Sequence, residues 1–388
     1  MKTIISIAGR GASTTYLAQQ LLKRNSLEKL ITSYPKFEIV KYGIPRSKID
    51  SVIIKEILTR GWSKLPNFIK NVTSPDYFIH ETFDKGAAKR ITPADIFWGW
   101  TSFSLHSLRE AQKKGAISII EVGNAPMLEQ NRLLKDEYDL VGWPTKSYEL
   151  SSPRLVEKAI QEYKETDYLS VPSLYIKNRF LAFGIPEERI IHIPYGVDLS
   201  AFRQVPKEDK IFRVIFAGGM SLRKGVHYLI QAFTELKLPN SELFLVGGLT
   251  EQIKPIFKKY EGHYTWVGHK PQAELYKLYS QGSVFAFPSL DDGFGAVLVQ
   301  AMACGLPAIA STNTGGPDII EEGKEGFIIP IKDVEALKEK ILFFYKNPQA
   351  VVAMGQAAKQ RVTSGLTWDD YGDKVFAAFE KIMAAKKQ

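Results

Sequence analysis

Asp292 and Gln300 lie eight positions apart, between a predicted buried strand at residues 283–287 and a glycine at position 305. An acidic, glycine-bearing loop, residues 290–293, leads from the strand into an apolar helix. In such a unit, backbone N–H groups and the positive end of the helix dipole lie at the carboxyl edge of the sheet and favour an anion. A carboxylate and an amide beside them can bind hydroxyl groups. The stretch therefore predicts a site for a sugar that carries phosphate, although Asp292 is equally suited to cap the helix and Gln300 to face solvent.

A second motif, residues 216–233, combines glycines with cations. Gly218 and Gly219 close a predicted strand, and Arg223 and Lys224 open the helix that follows. Glycines let the backbone approach a ligand closely, and two cations at the start of a helix suit a diphosphate. The alternative is a tight turn whose basic side chains are solvated. The acidic loop around position 292, later in the same predicted sheet, favours the diphosphate interpretation.

Three further positions are weaker candidates. The backbone at Val267 ends a predicted strand and is placed to lie against a flat nucleobase. Gly9 and Gly11 have part of the spacing of a dinucleotide-binding loop, a weak signal on its own. Glu121 ends another predicted strand, where a catalytic or acceptor-binding carboxylate would lie, and a capping or ion-paired carboxylate is the alternative.

Predicted strands and helices alternate from one end of the chain to the other. This order is typical of parallel sheets covered by helices on both faces, and 388 residues suffice for two domains. We therefore predict an α/β protein with two Rossmann-like, doubly wound parallel-sheet domains that face a cleft, residues 1–200 and 201–365. A last helix, residues 366–388, is expected to cross back to the first domain. Ligands of open α/β sheets bind at the carboxyl ends of the strands, which places the chemistry in the cleft.

The net charge of +9 is concentrated near the N-terminus. Residues 1–120 carry 19 Lys and Arg against 9 Asp and Glu, whereas the other 268 residues carry 32 against 33. A solvated basic surface is one interpretation, and a face for an anionic acceptor or an anionic membrane is the other. Within this region, residues 49–70 are amphipathic and basic, which suits a helix packed on the sheet or an element that touches lipid. Nucleic acid is not an expected partner, because no sequence pattern of a nucleic-acid-binding module is present.

Composition also bears on the compartment. The chain has a single cysteine, Cys304, which excludes an intramolecular disulfide and fits a reducing compartment. No apolar run reaches the ~18 residues of a membrane-spanning helix, and the apolar start is too short for a signal peptide. We therefore expect a cytoplasmic protein, with the inner face of the membrane as a peripheral location.

Several catalytic classes lack their sequence patterns in this chain. There is no Gly-x4-Gly-Lys-Ser/Thr loop of a P-loop NTPase and no Gly-x-Ser-x-Gly nucleophile elbow. No His and Cys residues have the spacing of a metal site, and the pair Asp291 and Asp292 alone is weak support for a divalent cation. We therefore expect no bound metal.

Four stretches, in order along the chain, resemble the retaining family-4 glycosyltransferases, which have the two-Rossmann GT-B fold. They are residues 171–198, 216–233, 266–311 and 313–330, and they include FAGGMSLRKG, SLDDGFGAVLVQAMACG and NTGGPDII. The likeness runs from about Asp167 to the C-terminus. The first third of the chain matches more weakly, as expected where acceptors vary.

This resemblance implies a role for each matching position. The family's Glu-x7-Glu motif falls on Asp292, which would contact the donor sugar, and on Gln300, which would hold the ribose hydroxyls. The family's diphosphate-binding lysine falls on Lys224, and its arginine partner falls on Gly219, so that Arg223 is expected to take part of its place. The predicted donor-binding residues are Gly9, Gly11, Gly219, Arg223, Lys224, Val267, Asp292, Gly293, Phe294, Gly295 and Gln300. The predicted catalytic residues are Lys224, Asp292 and Glu121.

The main hypothesis is therefore a glycosyltransferase that moves a sugar from a nucleotide-diphosphate donor to an acceptor hydroxyl with retention of configuration. The acceptor would be a glycan, a polysaccharide or a lipid-linked molecule, and no cofactor is expected beyond the nucleotide sugar as co-substrate. The second hypothesis is a weak or inactive homologue that binds a nucleotide sugar or glycan, since Asp292 and Gln300 replace two glutamates. A nucleotide-sugar epimerase with a similar two-domain fold is the third.

Overall fold

The computed structural model describes residues 1–9, 12–64, 75–145 and 148–386. Two sheets organise these residues, and every strand pairing within them is parallel. The first sheet has the order β3-β2-β1-β4-β5-β6-β7, and the second has the order β10-β9-β8-β11-β12-β13. The predicted fold class, two doubly wound parallel-sheet domains, is confirmed.

The first domain alternates strands and helices from the N-terminus. Its strands are β1 (Thr3–Ile7), β2 (Leu27–Thr32), β3 (Ile49–Ser51), β4 (Ile96–Trp100), β5 (Ile117–Glu121), β6 (Tyr168–Val171) and β7 (Ile190–His192). Its helices are α1 (Ala12–Lys23), α2 (Lys36–Val40), α3 (Ile54–Ser63), α4 (Asp76–Ala88), α5 (Leu105–Lys113), α6 (Met127–Leu140), α7 (Pro153–Glu165) and α8 (Leu174–Ala182).

The second domain repeats this plan. Its strands are β8 (Phe212–Ala217), β9 (Ser241–Val246), β10 (Thr265–Trp266), β11 (Val284–Phe287), β12 (Ala308–Ser311) and β13 (Gly326–Ile329). The helices that follow are α9 (Val226–Leu236), α10 (Lys254–Lys259), α11 (Gln272–Ser280), α12 (Ala296–Ala303), α13 (Gly316–Ile319), α14 (Val334–Lys346), α15 (Pro348–Thr363) and α16 (Trp368–Lys386). A short 3₁₀ helix, Leu222–Lys224, precedes α9.

Burial of both sheet faces explains the apolar strands. All residues of β1, β5, β11 and β12 are buried, as expected for strands with helices on both sides. In the second sheet the strand order reverses between β8 and β11. Such a switch point opens a crevice at the carboxyl ends of the two strands, and the two loops with candidate site residues begin there.

Two elements pack against the sheet of the other half of the chain. Helix α16 shares a hydrophobic cluster with β1, β4 and β5, and its Phe379 ring lies 5.7 Å from the Trp98 ring, centroid to centroid. In the opposite direction, Leu134 and Tyr138 of α6 join the core of the second sheet. The two halves are therefore joined by helices that pack on the opposite half as well as by the chain that connects β7 to β8.

The amphipathic stretch at residues 49–70 is not one continuous helix. Residues 49–51 form the edge strand β3, and residues 54–63 form α3. Positions 65–70 lie outside the described residues. Within the described ranges, no helix is both long and apolar enough to span a bilayer.

Candidate active site

The acidic loop, residues 288–295, leads from β11 to α12 and is organised by Asp292. The Oδ1 atom of Asp292 accepts hydrogen bonds from the N–H groups of Gly295 at 2.8 Å and Phe294 at 3.3 Å. Asp292 therefore caps the start of α12, the structural alternative considered for it. Phe294 and Gly295 are among the predicted donor-binding residues, and in this structure the N–H groups of both donate to Asp292.

The cationic loop, residues 218–225, lies directly beside the acidic loop. The Lys224 ammonium contacts Oδ2 of Asp292, and the Arg223 guanidinium donates to the main-chain oxygen of Asp291 at 2.6 Å. In return, the N–H of Leu290 donates to the main-chain oxygen of Arg223 at 2.9 Å. The two predicted cations and the predicted carboxylate thus meet at the carboxyl edge of the second sheet, between β8 and β11.

Lys224 is held in a largely buried position. Its Nζ atom lies 5.4 Å from the centre of the Phe287 ring, within the range of a cation–π contact. Burial lowers the pKa of Lys224, the neighbouring Arg223 lowers it further, and the Asp291 carboxylate opposes both effects. An anionic ligand beside Lys224 would replace part of the lost solvation, so the site favours a phosphate group.

Two glycines of the cationic loop have different surroundings. Gly225 has φ +63°, and a Cβ atom there would lie 1.9 Å from the main-chain oxygen of Pro288. The cationic loop can approach the acidic loop this closely only with glycine at that position. A Cβ atom at Gly219 would meet nothing within 4 Å, so Gly219 borders open space.

Two further predicted site residues lie outside the two loops: Gln300 on helix α12 and Val267 just after strand β10. Gln300 lies on α12 and is partly exposed, and within the described residues its side chain makes no hydrogen bond. The N–H of Val267 donates to the main-chain oxygen of Leu245 at 3.1 Å, just beyond the end of β10. Gln300 is therefore free to bind a ligand, whereas the backbone N–H of Val267 is already used by the sheet.

Glu121 differs from the prediction of a carboxylate open to the cleft. Its side chain is 1% exposed and accepts hydrogen bonds from Trp98 Nε1 at 2.8 Å and from the Tyr195 hydroxyl at 2.5 Å. The Tyr195 ring in turn packs edge-on against Phe294, with centroids 5.5 Å apart. Burial and two hydrogen-bond donors give Glu121 the surroundings of a structural carboxylate. It contacts the acidic loop indirectly, through Tyr195 and Phe294.

The two glycines predicted from the N-terminal loop are placed as follows. Gly9 follows β1, and its main-chain oxygen accepts a hydrogen bond from the Thr32 hydroxyl at 2.7 Å. Gly11 lies outside the described residues. From the opposite side, a Cβ atom at Gly293 would lie 1.8 Å from the main-chain oxygen of Gly123, at the end of β5. The acidic loop therefore touches the first domain backbone to backbone.

One group of potential metal ligands lies within the described ranges. Glu81, Asp84 and His106 bring their ligand atoms within 4.8 Å of one another in the first domain. The Lys158 ammonium already occupies this group, 2.9 Å from Glu81 and 2.7 Å from Asp84. The arrangement is that of an internal ion-pair network and lies apart from the two loops.

Asp291 is the residue at this site whose role the sequence did not reveal. It was weighed only as half of a weak cation site, yet its carboxylate is fully buried and bound by Tyr175 and Gln130 of the first domain. Its position next to Asp292 was the only local signal.

Comparisons with known proteins agree with this architecture. Over 98–99% of its length the chain superposes on sucrose-phosphate synthase from Thermosynechococcus elongatus (TM-score 0.72, 19% identity, all of that chain covered) and on HepE from Anabaena, solved with UDP and glucose (TM-score 0.70, 15% identity, all of that chain covered). These likenesses establish the fold as GT-B.

Comparisons of the amino-acid sequence add a family match and a related enzyme to the GT-B fold. The model of the family described as Glycosyl transferases group 1 matches residues 199–361, which contain both loops of the site. A curated relative, the GDP-mannose-dependent alpha-(1-6)-phosphatidylinositol monomannoside mannosyltransferase of Mycolicibacterium smegmatis, is 28% identical over 235 residues. The match covers 54% of this chain and 61% of that enzyme. The chain thus spans about three-fifths of the length of this relative.

Proposed function

We propose that this protein is a glycosyltransferase that moves a sugar from a nucleotide-diphosphate donor to an acceptor hydroxyl, with retention at the anomeric carbon. The observation that carries the proposal is the convergence of Arg223, Lys224 and Asp292 at the β8–β11 switch point. The match of residues 199–361 to the model of a glycosyltransferase family supports it independently.

In this proposal the cationic loop binds the leaving diphosphate. As the glycosidic bond to the donor breaks, negative charge grows on the diphosphate, and the Lys224 ammonium and Arg223 guanidinium stabilise it in a site that excludes water. The Lys224 ammonium, which contacts Asp292 in this structure, would exchange this ion pair for one with the incoming phosphate. Open space beside Gly219 leaves room for the phosphates.

The acidic loop and α12 would orient the rest of the donor. Asp292 lies next to Lys224, where its carboxylate can accept a hydroxyl hydrogen bond from the sugar. Gln300, on α12, has a side-chain amide without a hydrogen bond to the described residues and would hold the ribose hydroxyls. Fixing the reacting atoms in this way removes much of the entropic cost of the transfer, and closure of the two domains would exclude water that competes with the acceptor.

A panel of nucleotide sugars tests the proposed reaction. Thermal denaturation with and without UDP-glucose, GDP-mannose and related donors identifies the ligand, since a ligand that binds only the folded state raises the melting temperature. Proton NMR of the product then reports its anomeric configuration. A donor with an α-linked sugar is expected to give an α-linked product. An inverted product would contradict retention, and free epimerised donor without acceptor would favour an epimerase.

The first domain bears on the class of acceptor. We propose that it docks on an anionic membrane surface, where a lipid-linked acceptor is available. Phe37, Ile54, Ile57 and Phe78 are 49–62% exposed on α2, α3 and α4 of this domain. Residues 1–120 also hold the excess of positive charge. Apolar side chains among cations are typical of a surface that inserts shallowly between anionic headgroups. The mannosyltransferase of Mycolicibacterium smegmatis, whose name includes a phosphatidylinositol monomannoside, is a relative with a lipid-linked substrate.

Co-sedimentation with vesicles tests this surface. Wild-type protein is expected to bind phosphatidylglycerol-containing vesicles more strongly than phosphatidylcholine vesicles. The double variant Ile54→Asn/Ile57→Asn is expected to lose most of this binding, whereas Val352→Asn, at an equally exposed apolar residue of the second domain, keeps it. Equal binding of wild type to both kinds of vesicle would contradict a membrane role for the first domain.

A further inference from the structure

A buried carboxylate crosses the boundary between the two domains at the candidate site. Asp291, in the acidic loop of the second domain, is 0% exposed. Its Oδ1 atom accepts a hydrogen bond from the Tyr175 hydroxyl of α8 at 2.9 Å, and its Oδ2 atom accepts one from the Gln130 amide of α6. Within the described residues, these two first-domain groups are the partners of the Asp291 side chain. The second domain therefore relies on the first to satisfy this charge.

The main chain of the same residue organises the cationic loop. Arg223 donates to the Asp291 main-chain oxygen at 2.6 Å, and the next residue, Asp292, contacts Lys224. The acidic loop is also fixed against the first domain at Gly293, which has no room for a Cβ atom beside Gly123. The position of Asp291 thus fixes the Arg223 guanidinium, which we propose as a ligand of the diphosphate.

We propose that Asp291 is a positioning residue that couples closure of the two domains to assembly of the diphosphate site. With the domains closed, Tyr175 and Gln130 bind its carboxylate, and Arg223 is held on its main-chain oxygen. This inference rests on the proposed function of Arg223 and Lys224 as diphosphate ligands.

Separation of the domains would change the site in a defined way. The Asp291 carboxylate would lose both donors and would lie unpaired beside two cations. An unpaired carboxylate in a partly buried place is costly, and pairing with the Arg223 guanidinium or the Lys224 ammonium relieves this cost. Those cations would then be less available to a diphosphate. The open form is therefore expected to bind donor weakly, and the closed form to bind it well.

Variants that remove the donors of Asp291 test this coupling. Tyr175→Phe combined with Gln130→Ala leaves the carboxylate without its two partners. Adding Asp291→Asn to this pair removes the charge that must be satisfied. Tyr163→Phe is the matched control, because the Tyr163 side chain is also buried and its hydroxyl accepts a hydrogen bond from Thr101 within the first domain. Small-angle scattering of the ligand-free proteins measures closure, and calorimetry with inorganic pyrophosphate measures the diphosphate site.

The double variant is expected to have a larger radius of gyration than wild type and to bind pyrophosphate about tenfold more weakly, the scale of one lost hydrogen bond to a charged group. The triple variant is expected to recover the compact form, and Tyr163→Phe to behave as wild type. A double variant that stays as compact as wild type, or a triple variant that stays expanded, would overturn the role of Asp291. Absence of pyrophosphate binding by wild type would instead count against the proposed diphosphate site, while the scattering result would still decide the coupling.

Discussion

At the scale of single residues, burial separates the carboxylates of the site into different roles. Asp292 is partly exposed and pairs with Lys224, whereas Glu121 is enclosed by Trp98 and Tyr195. Sequence position alone placed both at strand ends facing a cleft. The difference arises from side chains that are distant in sequence, such as Tyr195, which lies 74 positions from Glu121.

Replacement of Glu121 by Gln tests this distinction. Glutamine keeps the shape of the side chain, but one of the two acceptor oxygens becomes an NH2 group and the other becomes a neutral acceptor, so Glu121→Gln is expected to lower the free energy of unfolding by about 1–3 kcal/mol. Turnover per folded molecule is expected to stay within a few-fold of wild type. Chemical denaturation and kcat on the same preparation give both numbers. A variant with wild-type stability and no turnover would restore Glu121 as a catalytic residue.

For Gln300 we predict a substitution that strengthens donor binding. A carboxylate at this place would accept charge-assisted hydrogen bonds, which are roughly twice as strong as neutral ones. Gln300→Glu is therefore expected to lower the KM for the nucleotide sugar several-fold, and Gln300→Ala to raise it, both with nearly unchanged melting temperature. Steady-state kinetics at varied donor concentration measures this. Unchanged KM in both variants would remove Gln300 from the donor site.

The buried side chain of His80 predicts how the stability of the protein depends on pH. Burial lowers the pKa of His80 from 6.5 to about 3, with Nδ1 2.9 Å from the Ser102 hydroxyl. Between these values the unfolded chain binds a proton that the folded chain does not, so stability is lost as pH falls below about 6.5, by at most about 1.4 kcal/mol per pH unit. Urea denaturation from pH 7 to pH 5 is expected to show a shallower loss for His80→Gln than for wild type. His263→Gln, at an exposed histidine, is the control and is expected to behave as wild type. If the free energy of unfolding falls equally with pH in His80→Gln and wild type, the lowered pKa of His80 is contradicted.

At the scale of elements, the two loops at the switch point are built around glycines with separate tasks. Gly225→Ala is expected to lower the melting temperature, because its positive φ and its contact with Pro288 leave no place for a methyl group. Gly219→Ala is expected to leave the melting temperature unchanged but to weaken donor binding, since the added methyl projects into the open space proposed for phosphate. Differential scanning fluorimetry with and without donor separates the two effects. The reverse pattern would contradict the assignment of the space beside Gly219.

The strands that frame these loops were predictable, and two others were not. Continuous apolar runs predict buried parallel strands, and the strand predicted to end before Gly218 is observed as β8. Strand β2 was missed because its second and third residues, Glu28 and Lys29, interrupt the apolar run. Strand β3 was hidden within the amphipathic stretch that starts at Ile49, since its three residues are too few to show a strand period. Both lie at one edge of the first sheet, where burial is less complete.

At the scale of the whole molecule, the sequence predicted two parallel-sheet domains and a last helix that crosses back to the first, but not the side-chain contacts of Asp291 between the domains. The alternation of strands and helices sufficed for the fold, and the spacing in residues 216–305 sufficed for the cationic and acidic loops. Contacts of Asp291 with Gln130 and Tyr175 join residues 161 and 116 positions apart. No local pattern encodes such contacts, because they depend on how the two completed domains fit together.

The central claim is that Lys224 stabilises the leaving diphosphate of a sugar donor, and kcat/KM for the donor that gives the largest thermal shift tests it most directly. Lys224→Ala is expected to lower kcat/KM about 100- to 1000-fold, the usual effect of removing one group that stabilises a developing charge. Lys258→Ala, at an exposed lysine of α10 in the same domain, is expected to match wild type. A folded Lys224→Ala variant with wild-type kcat/KM would contradict the account.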